Sequence, residues 1–294
     1  MSTLLKTVPD FIIIGAHRSG TTWLHRAIGS HPSVWVPPVK ELHFFDDPTN
    51  KRFYVHLRKR LKSNFAERRL ATQWDLRYFF GRRNDHWYRS LFEPGRRRGK
   101  VTGEATPSYS TLGAEGLEHI KTINTDIKLI YIMRDPVERM WSAIRNAETK
   151  NKERKIKNNY DIDSERVRKS SYLRTIVALE SHFRPDQLFF GFFDDIKRDP
   201  ERLVADVLRF IGVEPGDVGA LLPKGAVNSA TGSSKPPPEF VRGMAALHLP
   251  WLRKMCERFP GPPEAWRDRY EALLSAPSQD TKEAETVGGR GGSA

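Results

Sequence analysis

Gly15-Ala16-His17-Arg18-Ser19-Gly20-Thr21-Thr22 has the glycine spacing of a phosphate-binding loop without its lysine. The stretch follows an apolar run, Phe11–Ile14, and precedes a segment of helical period marked by Trp23, Leu24, Ala27 and Ile28. A strand, a glycine-bounded loop and a helix N-terminus, in that order, gather backbone N–H groups around an anion. A nucleoside triphosphatase places Lys and then Ser/Thr after the second glycine, the Lys for the phosphates and the hydroxyl for Mg²⁺. Here Thr21 stands at the Lys position and the cation sits inside the loop, at Arg18. The pattern points to a phosphorylated ligand other than a metal-bound triphosphate. His17, Arg18, Ser19, Gly20, Thr21 and Thr22 are its candidate contacts.

A second segment with the same potential is Met133-Arg134-Asp135-Pro136-Val137-Glu138-Arg139-Met140-Trp141-Ser142. It follows the apolar run Lys128–Met133, so Arg134 falls at the carboxyl end of a strand, where open α/β sheets bind ligands. Pro136 suits the first position of a helix, which puts Ser142 two turns in. A forked, charge-assisted contact from Arg134 and a hydroxyl from Ser142 suit one phosphate. On its own the segment also fits a plain Arg134–Asp135 turn pair; beside the glycine loop, the binding reading gains weight.

The elements that must hold these residues are legible as alternating runs. Continuous apolar stretches at Phe11–Ile14, Lys128–Met133 and Gln187–Phe192 predict strands covered on both faces, with a further strand at Lys100–Glu104. Helical periods fall at Thr21–Ser30, Phe53–Leu70, Gly113–Asn124, Val137–Thr149, Ser171–His182 and Pro200–Ile211. Alternation of this kind predicts a P-loop-like, doubly wound parallel sheet flanked by helices, in a single α/β domain over residues 1–275. A charged, Asn-rich insertion is expected near 150–169 and a disordered tail over 276–294. Asp161-Ile162-Asp163 has the spacing of a sugar-nucleotide metal site, but with charged flanks and no strand before it a solvated loop is the better reading. From Phe240 to Tyr270, Val241, Met244, Leu247, Leu252 and Phe259 read as core packing.

Composition narrows the partners. The chain has 294 residues and a net charge of +13, which favours anionic ligands. Its cations fall in short patches, such as Arg58-Lys59-Arg60 and Arg96-Arg97-Arg98, and match no nucleic-acid module. No apolar run reaches membrane-spanning length, and no signal-peptide core opens the chain. Cys256 is the single cysteine, and the nine histidines show no metal-ligand spacing. A cytoplasmic protein with neither nucleic-acid nor membrane partner is expected; the oligomeric state is open.

The loop G-A-H-R-S-G-T-T-W-L after one strand and R-D-P-V-E-R-x-x-S after another resemble the sulfotransferase family, over Pro9 to about Pro215. The resemblance implies 3′-phosphoadenosine 5′-phosphosulfate (PAPS) as donor and 3′,5′-adenosine bisphosphate (PAP) as product, with no metal. It implies that the first loop cradles the 5′-phosphosulfate and that Arg134 and Ser142 hold the 3′-phosphate. Sulfuryl transfer needs no clamp on a γ-phosphate, which agrees with the missing lysine. Arg18, with Thr21 and Thr22, is the candidate for stabilising charge on the leaving oxygen.

Lys40-Glu41-Leu42-His43-Phe44-Phe45-Asp46 is similar to the K-E-x-H-F-F-D element of glycosaminoglycan sulfotransferases, whose Glu is the base. Gly103-Glu104-Ala105-Thr106-Pro107-Ser108-Tyr109 is similar to the G-E-x-T-P-x-Y element of that branch. The resemblance makes Glu41 the general base, with its pKa expected to rise on desolvation. His43 and Asp46 are then expected to orient Glu41 or the acceptor. Glu104 is open between acceptor binding and closing a turn. Lys235 is a candidate donor contact, although the two cysteines that brace the corresponding loop in the heparan 3-O branch are absent. The acceptor is expected to be a carbohydrate or a glycosylated small molecule, sulfated at a hydroxyl rather than an amine. The competing readings are a small-molecule kinase with a degenerate loop and a non-catalytic polyanion-binding protein.

Overall fold

The structure, a computed structural model, describes residues 8–47, 53–66, 72–150, 169–224 and 235–276. These fall into two compact units, each taken by itself: residues 8–134 with 169–224, and residues 135–150 with 235–276. The expected insertion around 151–168, Asp161-Ile162-Asp163 included, and the tail beyond 276 lie outside the described residues.

The first unit is built on a parallel sheet. Its strands are β1 (Phe11–Gly15), β2 (Val34–Trp35), β3 (Val101–Ala105), β4 (Lys128–Met133) and β5 (Leu188–Phe192), in the order β2-β3-β1-β4-β5. All observed pairings are parallel. From β1 the chain runs through α1 (Thr21–Gly29) to the β2 edge, whereas from β4 it goes on to β5 at the opposite edge. The carboxyl ends of β1 and β4 therefore flank a topological switch point, where open α/β sheets bind ligands.

Burial explains the unbroken apolar runs. Residues 11–14 and 129–133 are at most 1% exposed. Phe11, Ile13, Ile130 and Ile132 share a core with Leu24 and Ile28 of α1 and with Val204 and Leu208 of α10 (Pro200–Phe210). The alternate residues Ile12, Ile14, Leu129, Tyr131 and Met133 are buried equally well, as expected of a sheet covered on both sides.

A second core gathers Val39, Leu42, Trp74, Tyr78, Trp87, Tyr88 and Phe92. It is framed by α2 (Phe53–Ala66), α3 (Gln73–Phe80), α4 (Asp85–Ser90) and α5 (Glu93–Arg96). Thr72 and Asp75 close a capping box on α3, and the Asn84 side chain caps α4. α6 (Ala114–Ile123), α8 (Tyr172–His182) and the short α9 (Phe193–Arg198) complete the unit.

The second unit contains α7 (Pro136–Lys150), α11 (Pro238–Cys256) and α12 (Pro262–Ser275). Asp135 caps α7 by accepting the Glu138 N–H at 2.9 Å, and it also accepts from Arg269 at 2.6 Å and the Tyr270 hydroxyl at 2.9 Å. Burial raises its carboxyl above the usual range despite these bonds. The packing stripe of α11 differs from the sequence reading. Phe240, Met244, His248, Leu252 and Met255 are buried, while Leu247 is 42% exposed. His248 interrupts the apolar pattern because it accepts from the Trp251 Nε1–H at 3.0 Å and lies 3.5 Å from the Met140 sulfur.

Candidate functional site

The phosphate-binding loop is shaped by two left-handed residues and one close approach. Arg18 takes φ 70° and Gly20 φ 82°. A Cβ at Gly20 would stand 2.5 Å from Ile196 and 2.9 Å from Phe193, so only glycine fits both the dihedral and the space. The Ala16 N–H donates to the Ile132 carbonyl at 2.7 Å, pinning the loop to β4.

Helix α1 then starts with no side-chain cap and no acidic residue in its first turn. Its leading N–H groups have no intrahelical acceptor, and the helix dipole favours negative charge there. Ser19 is 0% exposed, yet among the described residues its Oγ has no hydrogen-bond partner. Leaving a buried hydroxyl unpaired costs roughly 1–3 kcal/mol. An anionic oxygen in the loop would remove that cost, so these residues fit a phosphosulfate group.

Arg134 reaches this loop from the adjacent strand. In the β1–β4 register Gly15 lies opposite Tyr131, which puts Arg134 just beyond the sheet's carboxyl edge. Its Nη1 donates to the Arg18 carbonyl at 3.3 Å, and its guanidinium lies 4.4 Å from the Phe193 ring centroid. Tyr172 braces the peptide from α8: its hydroxyl donates to the Arg134 carbonyl at 2.7 Å. Sequence reasoning missed both Tyr172 and Phe193, which come from elements about 40 and 60 residues further along the chain with no motif of their own.

The Lys40–Asp46 segment carries the second cluster. Glu41 Oε1 accepts from Lys40 Nζ at 3.2 Å, and its Oε2 lies 3.1 Å from His43 Nε2. His43 Nδ1 lies 2.9 Å from Asp46 Oδ2 and 3.3 Å from the Ser108 hydroxyl. His43 is buried and left-handed, with φ 53°, and Arg83 Nη2 donates to its carbonyl at 2.7 Å. The Glu41 side chain stays 26% exposed, enough for an acceptor to reach it.

The charge state of Glu41 corrects the expectation from desolvation. Burial does push its carboxyl up, but the bond to His43 and the charge and bond of Lys40 outweigh burial and hold it well below its ordinary value of 4.5. Glu41 is therefore ionised throughout the neutral range. The stability this brings is complete above pH 4.5 and drains away as the pH falls from there. On α1, burial first and the Lys40 charge second lower His25 to about 3, so it is neutral beside that lysine.

Removing Lys40 takes away two of the influences that favour the charged carboxylate. Lys40→Met is expected to raise the Glu41 pKa and so move the acid limb of the kcat/KM profile to higher pH. A pH–rate series on wild type and variant checks the direction, and an unmoved limb would separate Glu41 from that titration.

Glu104 is settled by burial. It is 2% exposed at the end of β3 and accepts from Tyr88 at 2.8 Å, Thr106 at 2.6 Å and Tyr109 at 3.2 Å. Burial raises its carboxyl, with the three hydroxyl bonds acting against that. It offers no surface to an acceptor.

A short 3₁₀ turn, Pro107–Thr111, ties the two clusters together. Its Ser108 reaches His43, and its Ser110 packs so closely on Gly15 that a Cβ there would come within 2.7 Å. The loop after β1, Arg134 after β4 and the turn after β3 thus meet at one edge of the sheet. Ser142, half-buried on α7, and Lys235, exposed just before α11, belong to the second unit.

A model of the sulfotransferase family matches residues 9–217. The chain belongs to the sulfotransferase family. Among curated members, mouse (Mus musculus) heparan sulfate glucosamine 3-O-sulfotransferase 5 is 25% identical over 226 residues, covering 72% of this chain and 56% of that protein. The membrane-associated sulfotransferase kil1 of Dictyostelium discoideum is 29% identical over 138 residues, covering 47% of this chain and 23% of its own length. The chain therefore spans between about a quarter and little more than half of these relatives. A solved sulfotransferase from Alicyclobacillus acidocaldarius shares the fold, with a TM-score of 0.63 and 21% identity over 88% of this chain and 98% of that one. Among the described residues of this sulfotransferase-family chain, no helix is long and apolar enough to cross a membrane.

Proposed function

We propose that this chain transfers the sulfuryl group of PAPS in line to a hydroxyl of a carbohydrate or glycosylated small molecule. The observation that carries the reading is the meeting of two clusters at the Pro107–Thr111 turn: an anion loop with an unpaired buried Ser19 hydroxyl, and an ionised Glu41. In this reading Glu41 takes the acceptor's hydroxyl proton as that oxygen bonds to sulfur. The bond from sulfur to the bridging phosphate oxygen breaks, and PAP leaves with the electron pair. Arg18 and the first N–H groups of α1 stabilise the charge that builds on the leaving oxygen. Arg134 and Ser142 hold the 3′-phosphate, and Lys235 is a further candidate for the donor. His43, held on its other side by Asp46, orients Glu41.

The sugar preference rests on the K-E-x-H-F-F-D resemblance and on a heparan sulfate sulfotransferase among the relatives. A reducing, cytoplasmic setting is supported by the single cysteine. Calorimetric titration tests the donor half. PAP should bind without added metal, and 5′-AMP, which lacks the 3′-phosphate, should bind at least about tenfold more weakly. Binding of ATP only with Mg²⁺, and none of PAP, would refute the proposal in favour of a kinase.

A further inference from the structure

The backbone of the Glu41–His43 loop is held from outside its own segment. Amides on either side of His43 donate to side chains from the β3 end: Leu42 N–H to Thr106 Oγ1 at 3.0 Å, and Phe44 N–H to the Tyr109 hydroxyl at 2.8 Å. A hydroxyl has one proton to give. Each of these hydroxyls, accepting from the loop, turns its proton to Glu104: Thr106 to Oε2 at 2.6 Å and Tyr109 to Oε1 at 3.2 Å. Tyr88 donates to Oε1 at 2.8 Å while its ring stacks on Phe44 with 4.6 Å between centroids. Glu104 itself is fixed in the sheet, in register with Ile12 of β1.

We propose that Glu104 is the positioning residue of the proton-handling loop: an acceptor-only carboxylate that, through Thr106 and Tyr109, sets the direction of the two hydrogen bonds flanking His43. The inference rests on the reading of Glu41 and His43 as the groups that handle the acceptor's proton. The carboxylate is the essential chemistry. A glutamine cannot replace it, because its NH₂ would stand in place of one of the two oxygens and donate either to Thr106 at the Oε2 position or to Tyr88 and Tyr109 at the Oε1 position. The hydroxyl facing the NH₂, Thr106 or Tyr109, would then meet two donors, the glutamine and its loop amide, Leu42 or Phe44, and its own proton would have no acceptor. The left-handed backbone of His43 makes the loop dependent on such outside support, because that conformation persists only where its surroundings impose it.

Amide hydrogen exchange on Glu104→Gln reads the proposal directly and needs no substrate. At least one of Leu42 and Phe44 should exchange about tenfold faster or more, while amides of β1 and β4 keep their wild-type rates. In the same variant kcat should fall with PAP affinity unchanged. Wild-type exchange at Leu42 and Phe44, or acceleration of loop and sheet together, would overturn it. If Glu104→Gln does not fold, Thr106→Val and Thr106→Ser decide: protection of Leu42 should be lost with Val and kept with Ser, and equal rates in the two overturn the proposal. Failure of wild type to bind PAP would instead sink the sulfotransferase activity and leave the exchange result standing.

Discussion

Glu41→Gln is expected to lower kcat on the order of 10²–10⁴-fold, the usual contribution of a positioned general base. The substitution preserves shape and keeps the Oε1 bond to Lys40, so the loop has little reason to move. What is lost is the capacity to accept a proton. Glu41 is ionised at neutral pH because His43 and Lys40 outweigh its burial, so every wild-type molecule carries the base form. The same depression makes it a weak base in the resting site. Catalysis by Glu41 therefore requires the incoming hydroxyl to compete with Lys40 and His43 for its oxygens.

Donor binding is the control. The Glu41 carboxylate bonds to Lys40 and His43 rather than to the phosphate loop, so the PAP dissociation constant should stay within about twofold. Single-turnover sulfation and calorimetry on one preparation check both halves. Turnover near the wild-type rate would remove Glu41 from the proton transfer, and loss of PAP binding would show that the substitution had disturbed the loop.

Much of this arrangement is written in local sequence. Continuous apolar runs mark β1, β4 and β5 to within a residue. β1 and β4, buried on both faces, have no polar alternation to obscure them, whereas β5, at the edge of the sheet, is only half-buried over residues 188–190 and still keeps an apolar run. β2, only Val34–Trp35, is too short to carry a period and is defined by its pairing with β3. The short α3 announces itself through the Thr72–Asp75 box, which the sequence reading passed over. At the site, the residue types were legible but their charge states were not. Lys40 and His43 are sequence neighbours of Glu41, yet whether they face its carboxylate depends on backbone dihedrals, one of them left-handed. Glu104 shows the same limit from the other side. A glutamate in a strand reads as polar until Tyr88 and Tyr109, distant from each other in sequence, are seen to seal it.

Arg134→Ala is expected to weaken PAP binding by about 10- to 100-fold, the range of losing one or two charge-assisted hydrogen bonds. The geometry gives this arginine two separable duties. As a proposed 3′-phosphate contact, it matters only to ligands that carry that group. As the donor to the Arg18 carbonyl at 3.3 Å, it also holds the phosphate loop in its left-handed turn, and should matter to any ligand seated there. Comparing PAP with 5′-AMP separates the two. If Arg134 served the 3′-phosphate alone, the variant would lose affinity for PAP and bind 5′-AMP as wild type does. With the Arg18 carbonyl released, 5′-AMP should weaken as well, by a smaller factor than PAP. Arg134→Lys sharpens the comparison. An ammonium can still sit over Phe193 and meet a phosphate, but it lacks the planar fork that serves a carbonyl and a phosphate at once. It should recover part of the PAP affinity and little of the loop's order. Unchanged PAP binding in Arg134→Ala would remove this residue from the donor site altogether.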